Sequence, residues 1–65
     1  MNVLIDYTNW RGERGMWCIK PIKIRFNSTK WHPEDQWLLT AIDLENENER
    51  DFAIKDIHSW KNLEE

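Results

Sequence analysis

The sharpest pattern along the chain lies at residues 22–26, where Ile22, Ile24 and Phe26 alternate with Lys23 and Arg25. A period of two puts the apolar residues on one face of an extended strand and the charges on the other. The segment from Met16 to Phe26 therefore predicts a half-buried strand with a basic outer face. Pro21 has no N–H to give to a ladder, so this strand must lie at a sheet edge or bend there. Upstream, "VLIDYTNW" at 3–10 is β-branched and aromatic and runs into "RGERG", whose glycines and charges mark a turn. Downstream, "NSTKWHPED" is a turn by composition, with Pro33 holding His32 extended.

The next segment, "QWLLTAIDL", is apolar on both parities, with Trp37, Leu39 and Ala41 on one side and Leu38, Ile42 and Leu44 on the other. That predicts a strand buried on both faces at the centre of a sheet or barrel. "ENENE" then reads as a hairpin loop, and "RDFAI" returns with Arg50, Phe52 and Ile54 on one parity. In the last stretch, "KDIHSWKNLEE", Ile57, Trp60 and Leu63 are spaced by three, which suits one or two helical turns or an extended tail. Together these elements predict an all-β fold: a small SH3-like barrel of about five strands, sealed at one end by aromatics, with a short C-terminal turn or helix. Residues 1–65 read as one domain.

Length sharpens this picture. A chain of 65 residues buries only about 60% of the surface its unfolded state exposes, so its core must be built from large side chains. Five tryptophans, two phenylalanines and one tyrosine supply them, each removing roughly 150–250 Å² from water. The lone Cys18 cannot form an intrachain disulfide and reads as a small buried hydrophobe. With no secretory-type N-terminus, the expectation is a cytoplasmic protein. No apolar run approaches the ~20 residues of a membrane span.

The net charge of −3 argues against binding nucleic acid by bulk electrostatics, yet the average conceals a division. Residues 11–30 hold six basic groups against one acid, and residues 34–65 hold ten acids against three bases. Either the molecule is dipolar, or neighbouring strands pair their opposite charges. Pairing is the better expectation, because like charges facing each other across strands are destabilising.

No catalytic or metal-binding pattern emerges. His32 and His58 stand in no arrangement with a nucleophile, and Cys18, His32 and His58 lack ligand spacing. The run Asp43, Glu45, Glu47, Glu49 has the alternation of a calcium loop without its glycine or its terminal glutamate. No cofactor is implied. The aromatics offer more: Trp10 and Trp17 flank a loop carrying Arg11 and Arg14, and Trp31 sits beside Lys30 and His32. Aromatic faces interleaved with bases are what a nucleotide or a single strand requires, stacking being worth about 1–3 kcal/mol per base. Trp37 and Trp60 are assigned to the core; Trp10 and Trp31 either cap the core or stack on a ligand.

The succession "IDYTNWRGERG", "IKPIKI", "WLLTAID" and "ERDFAIKDI" resembles the WYL domain, over residues 5 to 57. The elements are Tyr7 with Gly12, Pro21 with Ile22, Trp37-Leu38-Leu39, and Arg50-x-Phe52 followed by Asp56-Ile57, with Leu38 standing where the family has tyrosine. The resemblance implies an SH3-like, Sm-like barrel and a sensor of nucleic acid or nucleotides. In bacterial transcription regulators such a domain usually follows a helix-turn-helix, and it also accompanies phage-defence systems. It also implies that Arg50 contacts the ligand.

Two functions follow as expectations. One is a non-catalytic regulatory module of bacterial or phage origin, in which Arg50, Arg14, Lys20 and Lys23 neutralise phosphate while Trp10 or Trp31 stacks on a base. The other is a protein-interaction module docking on a larger partner, or on itself as a homodimer through an open edge at the Pro21 strand.

Overall fold

The computed structural model describes residues 1–63 and contains five strands: β1 (Asn2–Thr8), β2 (Arg14–Asn27), β3 (Gln36–Asp43), β4 (Asn48–Ala53) and β5 (Ile57–Leu63). A single 3-10 turn, Ile54–Asp56, joins the last two. All four ladders are antiparallel and form one sheet in the order β4-β3-β2-β1-β5. The all-β expectation is met; barrel closure is not, because no ladder joins β4 to β5. The final segment is extended from Ile57 to Leu63, and Glu64 and Glu65 lie outside the described residues. No described helix is long and apolar enough to cross a membrane.

β1 shows the simplest link from sequence to packing. Val3, Ile5 and Tyr7 are buried while their neighbours are not, and they meet Ile19, Leu39, Ala41 and Phe52 in one core cluster. The sheet must curl to allow this, because β1 and β4 are separated by two strands in the ladder order. The Tyr7 hydroxyl ties the curl, accepting a hydrogen bond from the Ala53 N–H at 2.9 Å. Its ring meets Phe52 edge-on at 5.0 Å.

β2 is where the bend falls. A straight 14-residue strand would run about 43 Å, more than the 36 Å longest dimension of the molecule. Pro21 opposes Ala41 and Lys23 opposes Thr40, so two steps on β2 match one on β3 and Ile22 is an extra residue. Pro21 therefore marks a bend in an internal strand. A bulge tolerates a residue that cannot donate, whereas a regular central ladder does not.

Several expectations for side chains are corrected. Ile22, Ile24 and Phe26 are exposed, because β1 pairs with β2 only as far as Ile19 and leaves the second half of the strand with β3 alone. Trp37, opposite Phe26 at the same end, is exposed for the same reason, and Trp60 is exposed because β5 is an edge strand. Cys18 is exposed too, since it alternates with the inward Ile19. The division of charge is paired in part: Arg25 with Asp51 joins the basic tract to the acidic one, Arg14 pairs with Asp6 and Arg50 with Asp43, and Lys20 and Lys23 have no ion-pair partner among the described residues.

Candidate ligand cleft

Two turns, each organised by one side chain, present the tryptophans of the candidate site. In the β1–β2 turn, Asn9 Oδ1 accepts from the N–H groups of Arg11 and Glu13, and Asn9 Nδ2 donates to Glu13 Oε1. Gly12 closes the turn by donating to the Asn9 carbonyl at φ +82°, a left-handed conformation that glycine adopts without cost. Trp10 stands at the tip. In the β2–β3 connection, Thr29 Oγ1 accepts from the N–H groups of Trp31 and His32, and Thr29 and His32 exchange backbone hydrogen bonds. His32 is buried beneath and Trp31 faces out.

The two tips meet. Trp10 and Trp31 stack with ring centroids 4.9 Å apart and planes 26° from parallel. Each indole also carries a neighbouring cation: Arg11 lies 5.8 Å from the Trp10 centroid and Lys30 5.1 Å from that of Trp31.

Behind this pair lies a cleft of about 410 Å³. Tyr7, Trp17 and Phe52 line it together with Trp10, Trp31 and Arg50, and the carboxylates of Glu49 and Asp51 border it, that of Asp51 engaged by Arg25 and Thr40. The Trp17 ring meets Phe52 edge-on at 5.5 Å. Arg50 sits over the Trp17 ring, 5.4 Å from its centroid, and its Nε donates to Asp43 Oδ2 at 3.2 Å. Asp43 is almost wholly buried and also accepts from the Glu45 N–H. The guanidinium is thus fixed by a carboxylate and a ring, while its two terminal nitrogens form no hydrogen bond among the described residues. A planar fork held in this way suits a phosphate or carboxylate.

The residues expected to act together divide into two sets. Arg50, Trp10 and Trp31 converge on the cleft. Arg14 does not line it: its Nε and Nη2 donate to the two oxygens of Asp6 at 3.0 and 2.9 Å, and this pairing holds the Asp6 carboxyl below its usual range. Lys20 and Lys23 are exposed and oppose Ile42 and Thr40, on the sheet face that alternates with Ala41 and Leu39. They share no surface with Arg50. Trp17, Arg11 and Lys30 stood in the basic-aromatic cluster of the sequence without being assigned to the site, and Tyr7 and Phe52 entered only as elements of the resemblance. The cleft brings Tyr7, Trp17 and Phe52 to its wall, and Arg11 and Lys30 lie beside the rings of Trp10 and Trp31.

Among the described residues no group of three or more histidine, cysteine or carboxylate side chains is placed to hold a metal ion. Comparison of the chain with protein-family models, curated proteins and solved structures finds no match.

Proposed function

We propose that the protein is a non-catalytic binding module whose ligand is a nucleotide or a short single strand of nucleic acid. The observation that carries this reading is the convergence of the Arg50 fork and the Trp10–Trp31 pair on one aromatic-lined cleft. Its volume lies within the range of about 300–1,000 Å³ typical of small-ligand sites. In this reading the phosphate lies against Arg50 and the base against an indole. The WYL resemblance supports it at Arg50, and the Tyr7–Ala53 tie supports a half-closed relative of the SH3-like barrel.

Energies favour the stacking. A base gains about 1–3 kcal/mol on an aromatic face, against about 0.5–1.5 kcal/mol forfeited if the Trp10–Trp31 pair must part. Arg11 and Lys30 lie beside the rings and neutralise the backbone of a longer strand.

The test is titration with mononucleotides, cyclic nucleotides and short DNA and RNA single strands, followed by tryptophan fluorescence at two salt concentrations. Saturable quenching that weakens with salt is expected, with loss in Arg50→Ala and in Trp31→Ala. Arg50→Lys keeps a cation beside Asp43 but loses the fork, and is expected to bind weakly while remaining folded. A flat response across the panel refutes the proposal.

A further inference from the structure

The second half of β2 presents an apolar face and an unpaired strand edge in the same place. Ile24 (59% exposed) and Phe26 (57%) share a face with Trp37 (55%), and the rings of Phe26 and Trp37 meet edge-on at 5.3 Å. Ile22, at the bulge, extends the apolar surface. None of these four residues lines the cleft at Arg50. Beyond Ile19 no strand flanks β2 on the side away from β3 among the described residues, so backbone donors and acceptors line that edge unpaired.

The charge on the strand is of one sign. From Arg14 to Asn27 the charged residues are Arg14, Lys20, Lys23 and Arg25, in a chain whose net charge is −3. Arg14 and Arg25 are paired with Asp6 and Asp51, whereas Lys20 and Lys23 are exposed and have no ion-pair partner among the described residues. Two copies joined antiparallel through this edge about Ile24 would set Lys23 of each against Arg25 of the other. Like charges directly opposed destabilise a ladder.

We propose that this edge is a docking site for an extended acidic segment of another protein, which adds to the sheet beside β2. Its backbone satisfies the open edge, its apolar residues cover Ile24, Phe26 and Trp37, and its carboxylates face Lys20 and Lys23 on the other side. From Lys23 to Asn27 the strand is already extended and held by β3, so only the incoming segment must be ordered.

The test uses the whole protein and a short synthetic peptide alternating glutamate with valine. Controls are the same peptide with lysine for glutamate, and one with alternate backbone amides methylated. The expected result is binding of the acidic peptide alone, with slowed amide exchange confined to residues 22–27. Lys23→Glu should weaken it by about two- to fivefold or more, the worth of one cross-strand charge pair, and bring the lysine peptide into binding. Phe26→Ser should abolish binding, and Arg50→Ala should leave it unchanged, which separates this surface from the cleft. The proposal is overturned if neither peptide binds, if both bind equally, or if the methylated peptide binds as well. It is overturned equally if the protein is a dimer that Phe26→Ser dissociates, since a second copy then covers the edge.

Discussion

Replacing Tyr7 with phenylalanine removes one oxygen atom and tests what holds the sheet curled. The ring remains packed on Phe52, but the Ala53 N–H, on a residue with no exposed surface, loses its acceptor. An unsatisfied buried donor costs about 1–3 kcal/mol. For a chain of 65 residues, whose whole stability is about 3–10 kcal/mol, a loss near the middle of that range is large and survivable. It corresponds to a fall in Tm of roughly 8–16 °C, read by thermal and urea unfolding followed by circular dichroism. Alkaline pH supplies a second reading. Burial holds the Tyr7 phenol above its usual value, with the Ala53 hydrogen bond opposing. The unfolded chain therefore ionises first, and above pH of about 10 the native state binds more protons than the unfolded one. Stability contributed by Tyr7 is full below that pH and is lost as pH rises, and Tyr7→Phe should lack this part of the decline. A cost below about 0.5 kcal/mol, well under the price of an orphaned donor, together with an unchanged alkaline slope, would refute the view that this bond ties β1 to β4.

Other outcomes follow from local geometry. Gly12→Ala meets no atom within 4 Å, so its cost is the backbone alone, about 1–2 kcal/mol for a left-handed residue. Equilibrium unfolding measures it. Glu47 occupies the left-handed region at φ 61° without being glycine, so Glu47→Gly should raise stability by up to about 1 kcal/mol in the same assay. Asp6→Asn removes a carboxylate whose pKa is lowered chiefly by its hydrogen bond from Arg14. Its contribution is present above the ordinary carboxylate range and is lost as pH falls through the folded pKa, so the variant should show a shallower acid decline.

Much of the sheet was legible because alternation reports which residues share a face. Val3, Ile5 and Tyr7 announce β1, and Pro21 announces a bend. Alternation does not report what covers a face, and this is why Ile24 and Phe26 read as core although both are exposed among the described residues. Trp37 and Trp60 misled for a related reason: their size suits a core, but their places at a strand end and on an edge strand keep them at the surface. Arg50 was reached through the family resemblance, and its partner Asp43 lies just across the hairpin, within reach of sequence reasoning. The Trp10–Trp31 stack was not, since a contact between turns so far apart in the chain belongs to tertiary structure. Arg14, Lys20 and Lys23 shared a basic tract with the site, but parity and the Asp6 pairing carry them elsewhere.

The extra residue at Ile22 divides β2 into two segments read in different frames. The first is phased by β1, through Val3 opposite Ile19, and the second by β3, through Ile24 opposite Leu39. Substitution at position 22 leaves both phases intact. Deletion of that one residue would set Lys23 directly after Pro21, so that Pro21, Lys23 and Ile24 oppose Ala41, Thr40 and Leu39 in a regular ladder and Ile24, Phe26, Lys23 and Arg25 keep their present faces. What is lost is the bend, and Pro21 is left in an unbroken internal ladder. Loss of a single codon there would thus change the shape of the sheet while leaving the chemistry of both its surfaces as it is.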